Sequence, residues 1–244
     1  MLVFYENDFL IDDEFYGGNQ QWLPKKQLSG AACGPTTAAN IFSYLIQTRP
    51  ELAEAYKAHI RKAELPDEEL ETMEGFMTLL NQILKYIRFN PLELVTAADS
   101  FEIGAKRFAR SMDVSLRTKR LKIPIGKEKR PTAEKICSFI ADAIDNSTPV
   151  AFLNLAPGAF ANPKGKPVKD VAIEVKIKAT LLKEKEEDVK FYPWYWATVI
   201  GIEEKNAEEK LCLKILDNNS IYWADLTLWL ADKKNSGSFI RLIP

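Results

Sequence analysis

The sequence predicts an α+β fold, with helices in the first half of the chain and an antiparallel sheet built mainly from the second half. Apolar residues recur every three or four positions up to about residue 148, which is the period of amphipathic helices. Beyond that point they alternate with polar residues, which is the period of strands with one buried face. Helices followed by strands are typical of α+β folds, whereas parallel α/β folds alternate the two.

Five helices are predicted in the first half from this apolar spacing. Pro35 fits the first turn of the first helix, because its missing N–H would be unpaired there in any residue. Ser100 and Thr132 are predicted N-caps, since hydroxyl side chains accept hydrogen bonds from the free N–H groups at a helix start. The helix after Glu51 covers 51–63. The five helices are predicted to begin at Cys33, Glu51, Pro66, Ser100 and Thr132.

Strands are predicted wherever apolar residues alternate or form short buried runs between turn residues. The clearest alternation runs from Val171 to Leu181. We expect one domain over residues 1–244, with a helical lobe at about 28–148 and a sheet lobe at about 149–244 plus the N-terminal segment. The strands are predicted at residues 114–123, 149–155, 171–181, 194–203, 211–217 and 238–243.

Composition is that of an ordinary globular protein: 244 residues, 46% hydrophobic and 27% charged, with a net charge of −1. Residues 1–15 carry five acids and no basic residue, so they do not resemble a signal peptide. The three cysteines, Cys33, Cys137 and Cys212, are odd in number and widely spaced, which predicts no disulfide framework and no metal site. We expect a cytoplasmic protein without a membrane span, a metal or a cofactor.

Cys33 is the most informative residue, because it stands where a helix is predicted to begin. The unpaired N–H groups and the positive end of the helix dipole favour thiolate there, and thiolate is the reactive form of cysteine. A nucleophilic cysteine normally needs a histidine base. The one histidine, His59, falls inside the helix predicted at 51–63. A buried structural cysteine is the alternative interpretation.

The residues around Cys33 resemble the papain-like cysteine peptidases, most closely the bacterial branch related to the bacteriocin-leader-processing peptidases. In that branch a glutamine precedes the nucleophile by six residues and Gly-Pro follows it. Gln27 has this spacing to Cys33, and Gly34 and Pro35 follow. The resemblance implies that Cys33 is the nucleophile position and that the Gln27 amide is the oxyanion-hole donor. Gln21 is a rival for the donor role.

The same family places its histidine at the start of a strand that ends in glycine six residues later. Counting back from Gly201, that position is Tyr195, and a register error of one residue would make it Trp196. The family's third member, Asp or Asn, ends the following strand, and Asp217 matches it. The resemblance therefore implies a site of Cys33, Gln27, Tyr195 and Asp217, with tyrosine in the histidine position.

Tyrosine in that position predicts weak or absent catalysis. The ordinary pKa of a phenol is about 10, against about 6.5 for imidazole, so tyrosine is a poor base at neutral pH. Loss of a positioned general base costs about 10²–10⁴ in rate. We expect a degenerate peptidase whose cleft binds a peptide or small molecule. The alternatives are an active cysteine amide or thioester hydrolase or acyl transferase of narrow specificity, and a non-catalytic interaction module.

Residues 106–135 hold eleven Lys and Arg against three acids. This basic segment is either a contact surface for an anionic partner or a solvated face with a loop. Few aromatic residues stand between the charges, so the stacking platform of a single-strand nucleic-acid binder is missing. Nucleic acid is therefore not expected as the partner.

Overall fold

The structure is a computed structural model that describes residues 2–24, 31–88, 96–126, 129–155, 178–179, 187–188, 195–205 and 210–244. Within these ranges it contains six α-helices and a seven-stranded antiparallel sheet, with two further two-stranded ribbons. The predicted α+β class is confirmed. None of the helices in these ranges has the length and apolar character needed to cross a membrane.

The helices lie mostly in the first half of the chain. Two short 3-10 helices, Glu6–Phe9 and Gln20–Trp22, precede them. The α-helices are α1 (Cys33–Thr48), α2 (Pro50–Lys62), α3 (Met73–Ile83), α4 (Ala98–Ser111), α5 (Ala133–Asp145) and α6 (Leu226–Ala231).

The strands come from both halves of the chain. They are β1 (Leu2–Val3), β2 (Leu10–Ile11), β3 (Phe15–Tyr16), β4 (Arg117–Ile123), β5 (Val150–Leu155), β6 (Lys178–Ala179), β7 (Glu187–Asp188), β8 (Tyr195–Lys205), β9 (Lys210–Asp217), β10 (Ser220–Asp225) and β11 (Ser236–Ile243).

Strand β8 is the centre of the main sheet, whose order is β10-β9-β8-β5-β11-β4. The first residues of β8 pair with β5, while Gly201 and Ile202 pair with β1 beside them. A Cβ on Gly201 would lie 2.5 Å from Cγ1 of Val3, so the missing side chain admits the N-terminal strand. The site described below lies at the start of β8.

Two apolar cores cover the opposite faces of the sheet. Side chains of β5 alternate between them: Leu153 belongs to the core that contains α1, and Phe152 to the core that contains α5. We call these the α1 core and the α5 core. Helix α1 is buried from Cys33 to Ile46, with α2, α3 and β8 around it. A helix with apolar character on all sides is expected at such a central position.

A polar contact fixes α1 against β8. The backbone N–H of Gly18 donates to Oδ1 of Asn40 at 2.9 Å, and Nδ2 of Asn40 donates to Oγ1 of Thr198 at 3.4 Å. Asn40 follows Cys33 by about two helical turns, so both residues lie on the same side of α1. The contact therefore holds the start of α1 beside the start of β8.

Several predicted boundaries change in the structure. Helix α3 begins at Met73, capped by Thr72, rather than at Pro66. Ser100 lies inside α4, whose N-cap is Ala97, whereas Thr132 caps α5 as predicted. Most of the strand predicted at 171–181 lies outside the described residues. Strand β10 and helix α6 were not predicted.

Candidate active site

Cys33 is the first residue of α1 and is 5% exposed. Its neighbour Gly34 packs so closely that an added Cβ would lie 2.8 Å from Oγ1 of Thr96 and 3.3 Å from the Trp196 ring. Real Cβ atoms do not approach other atoms as closely as 2.8 Å, so a side chain at this position would push α1 away from these neighbours. The glycine after the cysteine therefore lets the start of α1 approach the first residues of β8.

The phenol of Tyr195 and the carboxyl of Asp217 form the polar centre of the site. The Tyr195 hydroxyl donates to Oδ1 of Asp217 at 2.7 Å. Tyr195 begins β8 and Asp217 ends β9, so the antiparallel pairing of these strands brings the two residues to the same end of the sheet. Both groups lie near enough to the Cys33 thiol to act on it electrostatically.

Asn218 and Tyr222 complete the hydrogen bonding around this pair. Nδ2 of Asn218 donates to the Tyr195 hydroxyl oxygen at 2.6 Å, and the Tyr222 hydroxyl donates to Oδ2 of Asp217 at 3.4 Å. Asn218 has a φ of 44° in the turn between β9 and β10. Asparagine tolerates this left-handed region better than most residues, which suits it to a tight turn. The Tyr195 hydroxyl thus donates one hydrogen bond and accepts another.

The environment of Cys33 opposes thiolate formation. Burial raises the pKa of the Cys33 thiol to about 11, although the backbone N–H groups of Trp196, Gly34 and Cys33 itself lower it. The nearby Asp217 carboxyl raises that pKa further. The predicted lowering by the helix start is therefore present but smaller than the cost of burying a charged sulfur. At neutral pH the thiol is protonated.

Burial also governs the two other titratable groups. It raises the pKa of the Asp217 carboxyl from 3.8 to about 7, against the hydrogen bonds from Tyr195 and Tyr222, which lower it. Burial, followed by the Asp217 charge, raises the pKa of the Tyr195 phenol well above its ordinary value. The phenol keeps its proton at physiological pH, and that proton is directed at Asp217. Tyr195 is thus arranged as a hydrogen-bond donor to the acid and cannot act as the base that Cys33 would need.

The structure places the remaining predicted residues differently. Gln27 lies outside the described residues. Gln21 lies in the 3-10 helix Gln20–Trp22 with its side chain exposed, and no hydrogen bond joins it to Cys33 or Asp217 among the described residues. The indole of Trp196 donates to the Thr96 carbonyl at 2.7 Å and stacks on Phe101, away from Asp217. Tyr195, rather than Trp196, therefore reaches the acid.

His59 lies in α2, and its ring contacts α4 rather than the start of α1. Its Nδ1 is 3.0 Å from the Ser111 carbonyl oxygen, and its ring packs edge-on against Phe108. His59 lies inside a helix, as the sequence predicts, and is half-buried there. No imidazole therefore accompanies Cys33, Tyr195 and Asp217.

Sequence reasoning missed Tyr222 and Asn218. The signal available was the Asn218-Asn219 pair, a typical turn dipeptide between two strands. A hairpin through this turn pairs Tyr222 with Ile215, which lies two residues before Asp217 on β9.

Within the described ranges, no group of three or more His, Cys, Asp or Glu side chains is arranged to hold a metal ion.

In comparisons with known proteins, no protein-family model and no curated protein sequence matches this chain.

Proposed function

We propose that this protein is a degenerate papain-like cysteine peptidase whose cleft at Cys33 binds a peptide or a small molecule without cleaving it. The observation that carries the proposal is the hydrogen bond from Tyr195 to Asp217 beside Cys33. The acid that would orient a catalytic histidine holds a phenol in its place. The order of Cys33, Tyr195 and Asp217 along the chain supports a relationship to the papain-like peptidases.

Absence of a base supports binding over catalysis. Peptide hydrolysis by a cysteine needs a group that removes the thiol proton and later protonates the leaving amine, and one histidine supplies both steps in such enzymes. The sequence has one histidine, and it lies in α2 against Ser111. The protonated Cys33 thiol can donate a hydrogen bond to a carbonyl-rich ligand, whereas the phenol proton of Tyr195 is already donated to Asp217.

An active hydrolase or acyl transferase of narrow specificity is the second candidate. Three backbone N–H groups, of Trp196, Gly34 and Cys33, favour a negative charge on the sulfur. If a ligand displaced water and contributed its own base, these donors would stabilise the thiolate that forms. The burial that raises the pKa of Cys33 makes this candidate the weaker one.

The test is the pH dependence of Cys33 alkylation by iodoacetamide, followed by peptide mass spectrometry. In the wild-type protein we expect labelling to rise only near pH 11, since burial raises the thiol pKa to about that value. Tyr195→His should move the midpoint well below the reference of about 8.5, because imidazolium stabilises thiolate. Tyr195→Phe is the matched control, which removes the phenol without adding a base.

Peptide turnover gives the second readout. We expect no cleavage of a peptide library by the wild-type protein and measurable cleavage by Tyr195→His. Wild-type turnover in the ordinary range of about 1–10³ s⁻¹, abolished by Cys33→Ala, would overturn the proposal in favour of the active enzyme. Identical alkylation midpoints for Tyr195→His and Tyr195→Phe would show that position 195 never served as the base.

A further inference from the structure

Strand β4 forms one edge of the main sheet. Its residues Arg117–Ile123 pair with β11 along their whole length, and no other described strand pairs with them. The backbone groups on its outer side are therefore without strand partners in the part of the chain that the structure describes. Such an edge is a template for an added strand.

The side chains of β4 are strongly basic. Four of its seven residues are Lys or Arg and none is acidic. Arg120 pairs with Asp99 at 2.6 Å and Glu102 at 3.1 Å, and Lys119 lies 3.6 Å from Asp142.

Two cations of β4 remain available for a partner. Arg117 and Lys122 are exposed, and no described residue makes an ion pair or side-chain hydrogen bond with either. Lys119 is also 58% exposed despite its contact with Asp142. The acids of this chain therefore neutralise β4 only in part.

Alternation along β4 defines what an added strand would meet. Arg117, Lys119 and Leu121 point to the face that carries α5, where Lys119 lies over Phe139 and Leu121 packs on the α5 core. Leu121 is half-buried and lies between the exposed Lys119 and the buried Ile123 on this face. A neighbouring strand would thus find two cations and then an apolar side chain at two-residue spacing.

We propose that β4 docks an extended acidic peptide segment of a partner by strand addition. The partner segment places acids opposite Arg117 and Lys119 and an apolar side chain opposite Leu121. Main-chain hydrogen bonds to the free edge supply affinity, while the alternating side chains supply selectivity. Strand β4 lies within the basic segment 106–135, so this proposal assigns part of that segment to peptide binding.

A second copy of this chain fits the edge poorly. Pairing two β4 strands would bring four cations from each into one ladder, with no acid on either strand. Like charges on neighbouring strands are destabilising. An acidic partner removes that repulsion.

This surface is separate from the candidate site at Cys33. Strands β5 and β11 lie between β8 and β4, so β4 is three strand spacings, about 14 Å, from β8. The docking proposal therefore does not depend on the function proposed for that site.

The test uses the full chain and a fluorescein-labelled probe peptide, Glu-Thr-Glu-Thr-Val-Thr-Glu-Thr-Glu, titrated by fluorescence polarisation at low ionic strength. Its symmetric pattern fits β4 in either strand direction. We expect saturable binding that Arg117→Glu with Lys119→Glu weakens at least about tenfold, because the charges on the two chains then repel. Lys57→Glu with Lys62→Glu, an equal charge change on exposed residues of α2, should leave affinity unchanged.

Backbone pairing is tested separately from charge. A probe with proline in place of the two threonines beside the valine keeps its acids but loses two backbone N–H donors at its centre, so it should bind at least about tenfold more weakly. Hydrogen exchange of amides in 117–123 should slow when the threonine probe binds. The proposal fails if neither probe binds, if both bind equally, or if oligothymidylate binds as tightly as the threonine probe.

Discussion

Asp217 has a carboxyl whose chemistry departs far from its ordinary behaviour in water. Its carboxyl accepts hydrogen bonds from Tyr195 and Tyr222, yet burial raises its pKa to about 7. A buried acid with a raised pKa is common at functional sites. In this protein the nearest hydrogen-bond partner of the acid is the Tyr195 phenol, at 2.7 Å.

This pKa predicts a specific pH dependence of stability. Between pH 4 and about 7 the unfolded chain releases the Asp217 proton while the folded protein keeps it. Rising pH in that window therefore lowers the free energy of unfolding, by a few kcal/mol at most. Asp217→Asn has no proton to release, so its stability should fall less over the same window. Urea unfolding at several pH values measures the difference.

Asp113→Asn is the control for this experiment. Asp113 is exposed and has a φ of 58°, a conformation that asparagine also tolerates. Its pH profile should follow that of the wild-type protein. An Asp217→Asn profile that retained the full wild-type slope would show that Asp217 ionises in the folded protein as it does in water.

Sequence reasoning reached the pairing of Tyr195 with Asp217 but not the chemistry of Cys33. The resemblance to the papain-like peptidases implied both residues, by counting back from Gly201 and along the following strand. The balance at Cys33 depends on how deeply the start of α1 is buried, which is a property of the packed molecule. The helix start alone predicts a lower pKa, and burial reverses the direction.

At the scale of elements, the contact between α1 and β8 positions Cys33 relative to Tyr195. Asn40 accepts from the Gly18 N–H and donates to Thr198, all in the buried interior. Asn40→Ala leaves the Gly18 N–H without this acceptor, which should lower the free energy of unfolding by about 1–3 kcal/mol. Urea denaturation followed by circular dichroism measures the change.

Gln47→Ala on the same helix is the matched control. Gln47 is exposed and its amide donates to Oγ of Ser43, so its loss should cost less than about 0.5 kcal/mol. Equal costs for the two substitutions would mean that the Asn40 contact does not hold α1 in place.

Element boundaries were predicted less well than element types. The helix expected from Pro66 begins at Met73, because the chain turns between Glu69 and Thr72 and the Thr72 hydroxyl then caps the helix by accepting from the Gly75 N–H. Thr72 is a local signal for this start, and the apolar spacing from Pro66 onward does not reveal it. Helix α6 is six residues long, too short for its apolar period to be recognised.

At the scale of the whole molecule, one sheet joins the two cores. Strand β5 contributes Phe152 to the α5 core and Leu153 to the α1 core, and β11 does the same with Phe239 and Ile240. Neither core can lose these strands without disrupting the other. Cooperative unfolding is the expected consequence.

Tryptophan fluorescence can test this cooperativity. Trp196 reports on the α1 core and Trp229 on the α5 core. Two variants that each keep a single tryptophan, Trp196 or Trp229, with phenylalanine at the other four positions isolate the two reporters. In each variant the urea midpoints from fluorescence and circular dichroism should coincide. Midpoints that differ within one variant would indicate two lobes that unfold independently.

The solitary imidazole of this chain, His59, has a practical use in magnetic resonance. The wild-type protein gives one set of histidine ring signals, because the sequence contains one histidine. In Tyr195→His, any second set belongs to the introduced ring without further assignment. Its titration would report directly how strongly Asp217 and Cys33 act on a base placed between them.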